Sequence, residues 1–207
     1  MYQKRLTVFI RCTIIRHKNT RNGGIAMAGG NTVQPIRDLD KLEEMKAVLK
    51  RNNYRDFMMF VVGINTGLRI SDLLKLTVGQ VSNSHIMIIE QKTGKKKRFP
   101  INRHLRELLD EYTIGMNDDD YLFPSRKGGH IGRVQAYRVM NQAAAAVGLE
   151  DIGTHTLRKT FGYHHYQQNK DVAILQQIFN HSSPSITLRY IGINQDIIDR
   201  SLEDFCL

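Results

Sequence analysis

Four segments hold residues whose types and spacing could do chemistry on a phosphate. The first, TGLRISDLLKL (residues 66–76), places Arg69 between a glycine turn and a helix start. There its fork of donors can join free backbone N–H groups around an anion. The alternative is an ion pair across the turn with Asp72, an arrangement common in loops. The second, EQKTGKKKRFP (residues 90–100), concentrates Lys92, Lys95, Lys96, Lys97 and Arg98 at a β-turn. A solvated hairpin tip is usually of mixed sign, so an all-positive tip points to phosphate contact. A lysine at the base of such a turn could also deliver a proton to a leaving oxygen. The third, HTLRKTFG (residues 155–162), puts His155 and Arg158 three apart, on one face of a helix. Two such groups converge well on one phosphoryl group, although the pair alone also arises by chance. The fourth, NHSSPSITLRYIG (residues 180–192), has Tyr190 near its end. Alone, that tyrosine reads as a packing residue. Beside His181 and two arginines it reads as a phenol nucleophile supplied with the help it needs.

These segments require elements to position them. Asp38 is a helix cap for a run with Leu39, Leu42, Met45, Val48 and Leu49 at helical spacing. A second, largely apolar helix is predicted over residues 56–65, hence buried, stopping at Thr66-Gly67. A third starts around Ser71-Asp72 and takes in Leu73, Leu74 and Leu76. SHIMIIEQ (residues 84–91) reads as a strand, KTGKK as a turn and residues 97–101 as the returning strand. Leu105, Leu108 and Leu109 mark a further helix closed near Gly115, and DDDYLFPS is an ordered loop anchored by its aromatics. Helices are then expected over residues 133–147, 156–168, 172–180 and 184–190. The expected fold is therefore α+β and mainly helical, with one small antiparallel sheet. After Tyr190, the residues Ile197, Ile198, Leu202 and Phe205 again follow helical spacing, for a helix packed on its own domain or on a neighbouring subunit.

Composition sets the outer bounds. The chain has 207 residues, 41% of them hydrophobic and 24% charged, which suits one soluble globular domain with a tail. Its longest nearly apolar run, FMMFVVGI, is too short to cross a bilayer. Cys12 and Cys206 match no metal or disulfide spacing, so neither a zinc site nor a disulfide scaffold is expected. The net charge of +10 asks for an acidic partner, with nucleic acid first. Six of the thirty Lys and Arg residues lie in the first thirty positions, where there is no acidic residue. That leaves 24 cations against all 20 acids, a net +4, for the remainder. Residues 1–34 thus read as a basic extension, either disordered or an arm that touches phosphate, and residues 35–207 as the working domain.

Taken in order, Arg69, Lys92, His155, Arg158, His181 and Tyr190 resemble the motif set of the tyrosine recombinase (phage-type integrase) family. TGLRISDLLKL is similar to the family's first arginine box, QKTGKKKR to its hairpin lysine, HTLRKTFG to its His-x-x-Arg box, and NHSSPSITLRYIG to its final histidine and tyrosine. Each motif is weak alone, but their joint order is specific, and the resemblance runs from about Ile36 onward.

The resemblance implies that Tyr190 attacks a DNA phosphate, giving a 3′-phosphotyrosine and a free 5′-hydroxyl. It further implies that Arg69 and Arg158 hold the non-bridging oxygens, that Lys92 protonates the departing oxygen, that His155 takes the tyrosine proton and that His181 donates to the phosphate. Asp72 is expected to orient the cations. Such strand exchange conserves bond energy, so neither metal nor other cofactor is expected. Double-stranded DNA is the implied partner, met by a monomer that assembles into dimers or tetramers on it, in the cytoplasm of a bacterium or from a phage. Lys95, Lys96, Lys97, Arg98, Arg133, Gln135, Arg138 and Lys159 are further candidate DNA contacts. Two departures stand out. Phe179-Asn180 replaces the Leu-Gly that relatives commonly carry, and Lys159 stands where many have histidine. The segment before Ile36 is also too short for the separate N-terminal helical domain most members carry, so a fragment or a short single-domain relative is expected. The alternative function is a DNA-binding protein that keeps the fold and cuts nothing.

Overall fold

Asp38 accepts hydrogen bonds from the N–H groups of Asp40 and Lys41, and so opens α1 (Leu39–Asn52) where its sequence predicts a cap. The structure, a computed structural model, describes residues 33–92 and 94–193 together with Leu202 and Phe205. Most of the basic extension expected over residues 1–34, both cysteines, and Ile197 and Ile198 of the expected terminal helix lie outside the described residues.

Helix α2 (Tyr54–Thr66) follows after one residue and is buried on almost every side, as its apolar composition requires. α1, α5 (Arg103–Tyr112) and α7 (Thr156–Asn169) all pack against it. It ends at Gly67, whose φ of +63° is left-handed, and a Cβ there would lie 2.4 Å from the Phe161 ring. Both facts demand glycine. The leucine-rich stretch beyond is less helical than its spacing predicts. α3 (Ile70–Leu73) is a single turn, and Leu74 and Leu76 reach the core from irregular backbone. A second one-turn helix, α4 (Val78–Val81), is opened by a reciprocal Thr77–Gln80 capping box that the sequence reading missed.

The sheet consists of β1 (His85–Ile89) and β2 (Lys96–Pro100), antiparallel, with Ile86 opposite Phe99 and Ile88 opposite Lys97. Side chains alternate across it, so Ile86, Ile88 and Phe99 are buried while Met87 and Ile89 face out. The first strand is shorter than residues 84–91 because the Glu90 N–H turns to bond Lys95 O at 3.0 Å and closes the hairpin. The DDDYLFPS loop is anchored by one of its two aromatics: Phe123 is buried with Leu122, whereas Tyr121 is exposed, and the Tyr112 hydroxyl donates to Leu122 O at 2.8 Å.

The remaining helices are α6 (Arg133–Ala146), α8 (Val172–Phe179) and α9 (Pro184–Ile191). Ser183 caps α9 and Pro184 is its first residue, the position where a missing N–H costs nothing. Leu175, Phe179, Ile191 and Ile193 form a small second core against α7. The fold is mainly helical with one two-stranded antiparallel sheet, the class the sequence implies.

The close approach in that second core depends on Gly162 of α7. A Cβ there would sit 2.7 Å from Ile191 and 2.8 Å from the Phe179 ring. Replacing Gly162 by Ala should therefore destabilise the domain by about 1–3 kcal/mol, as overpacking does, despite the better helix propensity of Ala. Urea denaturation of the two proteins measures it, and an equal or higher midpoint would contradict the packing described.

Candidate active site

Arg158 is the most buried of the cations, at 3% exposed, and its chain position explains why. It lies in the first turn of α7, facing the ends of two other helices. Its Nη1 donates to Gly67 O at 2.5 Å and its Nη2 to Phe179 O at 3.1 Å. These carbonyls belong to the C-terminal ends of α2 and α8, where the helix dipole is negative and backbone acceptors lack helical partners. The Phe179 ring lies beneath the guanidinium, 4.3 Å from centroid to carbon. Two of its five N–H groups are thus spent on position.

Arg69 precedes α3 and does not pair with Asp72. Its Nη1 donates to Glu90 Oε1 at 2.6 Å, and Glu90 is 1% exposed. Lys97 Nζ lies 3.3 Å from the same oxygen and also donates to Ile178 O at the end of α8. Asp72 is buried as well. One of its oxygens accepts the Gln91 N–H at 3.1 Å, so it grips the hairpin backbone, and its charge favours the charged form of Arg158. Next to Gln91, Lys92 is exposed and faces the cleft; Lys95 Nζ donates to Asn180 Oδ1 at 2.9 Å. Asn180 caps α8 in the left-handed conformation, φ +53°, that its replacement of glycine demands.

Tyr190 stands one residue before the end of α9. Its hydroxyl is 3.3 Å from His155 Nδ1, and its ring meets that of His181 edge-on at 5.1 Å. His155 occupies the residue just before α7, one turn from Arg158. His181 Nδ1 lies 3.0 Å from Thr187 Oγ1. All six residues selected from the sequence line one open cleft of about 230 Å3, and Asn180 is its seventh member.

The charges in this cleft shift its titratable groups. His181 is pushed down to about 4 by burial, then by Arg158, Arg69, Lys97 and Lys92. His155 is lowered by partial desolvation, then by Arg133, Lys159, Arg158 and Arg69. Both are neutral at pH 7. Burial raises the Tyr190 phenol, against the pull of Arg158 and Arg69. Burial also lowers Arg158, to about 10, which leaves it charged.

The further candidate contacts divide. Lys95, Lys96, Arg98, Arg133, Gln135 and Arg138 are exposed. Arg133 sits near the cleft, donating to Thr154 Oγ1 at 3.3 Å, whereas Gln135 and Arg138 line a separate basic groove with Arg55, Arg126 and Lys127. Lys97 and Lys159 turn inward. Lys97 shares a sheet face with Phe99, and Lys159 donates to Val33 O at 2.7 Å with its Nζ 5.2 Å from the Tyr190 ring centroid. Glu90 was not singled out from the sequence, and Asn180 was noted there only as the residue standing where relatives carry glycine. Glu90 had a readable signal: it continues the alternation of buried Ile86 and Ile88, an acid on the inward face. Among the described residues, no group of three or more His, Cys, Asp or Glu could hold a metal ion, and no helix is long and apolar enough to cross a membrane.

Comparison with known proteins covers the same residues. The Phage integrase family profile matches residues 38–196, a span that includes every residue of the cleft. A probable integrase/recombinase of Bacillus subtilis (strain 168), YoeC, is 55% identical over 166 residues, 79% of this chain and 92% of that protein. A tyrosine recombinase of Pseudothermotoga lettingae is 33% identical over 68% of this chain, which spans only 50% of that longer protein. Among solved structures, the recombinase XerH bound to its difH substrate has the same fold, with a TM-score of 0.63 at 22% identity over 77% of this chain and 51% of that one. A profile match through both arginines, both histidines and the tyrosine, with a relative identical at more than half of the aligned positions, places this chain in the phage integrase family, the tyrosine-type site-specific recombinases.

Proposed function

We propose that the chain cleaves and rejoins double-stranded DNA at a specific site through Tyr190, with the other five residues acting on the same phosphate. The observation that carries this is the convergence of all six on one cleft. Tyr190 Oη attacks phosphorus and expels the 5′-oxygen, which leaves a 3′-phosphotyrosine; the reverse attack by a 5′-hydroxyl of a partner strand restores the backbone. No high-energy cofactor enters, because one phosphodiester is exchanged for another.

The electrostatics support the division of labour. A phenol raised by burial does not ionise in advance, so its proton must leave as the bond to phosphorus forms. Neutral His155, at 3.3 Å, is able to take it. Arg69 and Arg158 are positioned before DNA arrives and need no reorganisation as charge collects on the phosphorane oxygens. The single proton of the Thr187 hydroxyl can go to His181 Nδ1 at 3.0 Å or to Ser183 O at 3.3 Å. In the first case His181 carries its own proton on Nε2 and donates from there. Lys92, exposed and lining the same cleft, supplies a proton to the departing oxygen. Exposed Lys95, Lys96, Arg98 and Arg133 would lie against neighbouring phosphates, and dimers or tetramers would assemble on the DNA.

Three outcomes test the reading. The first is covalent capture. Duplexes tiling the DNA that flanks the coding sequence, each nicked so that the cleaved end escapes, should yield a denaturant-resistant protein–DNA adduct. Tyr190→Phe should yield none. Equal adduct from that variant removes Tyr190 as nucleophile, and no adduct on any duplex favours the binding-only alternative.

A second outcome concerns affinity. With about five phosphate contacts, the logarithm of the association constant should fall against the logarithm of salt with a slope of about −4 to −5. Fluorescence anisotropy on a labelled duplex measures that slope, and a salt-independent affinity would contradict the electrostatic cleft.

The third follows from the histidines. In DNA-free protein, both should titrate below the ordinary value of about 6.5, His181 near 4, as read by NMR of the imidazole protons. A histidine depressed by folding binds its proton first in the unfolded chain. Stability should therefore fall as pH drops from about 6.5 toward 4, and less so in His181→Asn. A thermal midpoint unchanged across that window would contradict the assignment.

A further inference from the structure

Glu90 is an odd residue for a site that binds an anion. Its carboxylate is 1% exposed and sits within the cationic cluster, two residues before Lys92. A carboxylate there opposes DNA binding through its charge, and it has been taken out of water at a desolvation cost. Its contacts show what it does in return. Oε1 receives Arg69 Nη1 at 2.6 Å and lies 3.3 Å from Lys97 Nζ. Lys97 in turn donates to Ile178 O, the α8 end that leads into Asn180 and His181. Glu90 is also the residue that closes the hairpin: its N–H bonds Lys95 O at 3.0 Å and its carbonyl accepts the Gly94 N–H at 2.8 Å. One residue thus joins three parts of the site: its backbone closes the hairpin that carries Lys92, and its side chain ties the first arginine to Lys97 of the returning strand and, through Lys97, to the corner that carries His181.

We propose that Glu90 is a positioning residue for strand cleavage, which fixes Arg69 directly and Lys92 through the hairpin turn, at the expense of some electrostatic attraction for DNA. The inference rests on the recombinase reading for its rate effect, and on the fold alone for its effect on the hairpin. Geometry separates it from a residue that only balances charge. A charge-balancing group could be shortened by one methylene without consequence, whereas a group holding a guanidinium and an ammonium from one oxygen could not. Misplacing a catalytic group by about 1 Å costs on the order of 100-fold in rate.

The test uses the full chain and the variants Glu90→Gln and Glu90→Asp, with two readouts. The first is the single-turnover rate of covalent adduct formation on the nicked duplex, alongside the duplex affinity. Both variants should cleave roughly 10- to 100-fold more slowly, with Glu90→Gln binding DNA as tightly as wild type or more tightly. Wild-type cleavage by Glu90→Asp would overturn the positioning role, as would slow cleavage explained wholly by weaker binding. The second readout is hydrogen exchange in DNA-free protein, where amides over residues 88–96 should exchange about tenfold faster in both variants, while α2 keeps its protection. Unchanged exchange in the hairpin would overturn the inference even if wild type formed no adduct, an outcome that would count only against the recombinase reading. Loss of protection throughout α2 would show a folding defect instead, and would also overturn it.

Discussion

Arg158 carries a charge in a place almost without water, and the surrounding helices are arranged so that it stays there. Its hydrogen bonds go to backbone carbonyls, while the charges of Glu90 and Asp72 favour its charged form through space. Its donors meet Gly67 O and Phe179 O, the acceptors left over where α2 and α8 end. A helix C-terminus is electronegative, so two of them converging on one guanidinium replace part of the lost hydration. The requirement propagates outward. Gly67 must be left-handed to stop α2 at that point, Asn180 must do the same for α8, and Gly162 must let α7 approach Phe179 and Ile191. Removing Arg158 would leave two buried carbonyls without partners, each a loss of about 1–3 kcal/mol. The proposed catalytic role and the structural one coincide in this residue.

The same arrangement sets the protonation states. Burial first, and then the several fixed cations around a small cleft, make any additional positive charge unwelcome, so both histidines are held neutral and are available to accept or donate a single proton. In the same field the tyrosine feels two opposing influences, burial that keeps its proton and arginines that would accept its loss. A phosphate entering the cleft adds negative charge and shifts this balance. The neutral imidazoles and the protonated phenol thus share burial as their first cause, which the fixed cations reinforce in the histidines and oppose in the tyrosine.

How much of this was legible in the sequence depended on the range of the interaction concerned. Arg69, Lys92, His155, Arg158, His181 and Tyr190 were each recognisable within a short motif, and their order along the chain identified the family. The cap at Asp38, the stop at Gly67 and the start at Pro184 were local, set by side-chain chemistry within one turn. What failed was reading cations by density. Lys97 and Arg98 are neighbours in a basic run, yet strand alternation sends Lys97 inward with Phe99 and Arg98 outward. Lys159 was assigned to DNA for its charge, whereas Thr156 to Thr160 are buried together and its ammonium ends on Val33 O, a partner more than a hundred residues away in the chain. Glu90 was missed because an acid in a basic motif looks like an exception. Applying the period of two to residues 86, 88 and 90 would have placed it inside.

The charge inventory takes a different meaning once the faces are separated. The net +4 of residues 31–207 is small for a DNA-binding domain, and two of its lysines never face the cleft mouth. In the proposed function, attraction for DNA would therefore come from the exposed cations of the hairpin tip and of α6, while the inward cations organise the centre. A chain with the same total charge spread evenly would attract DNA as well and would hold no phosphate in register. The hairpin makes the distinction within a few residues: its outward side chains would meet a polyanion as it approaches, and its inward ones tie Glu90, Arg69 and the end of α8 into the fixed frame against which the phosphate would be attacked.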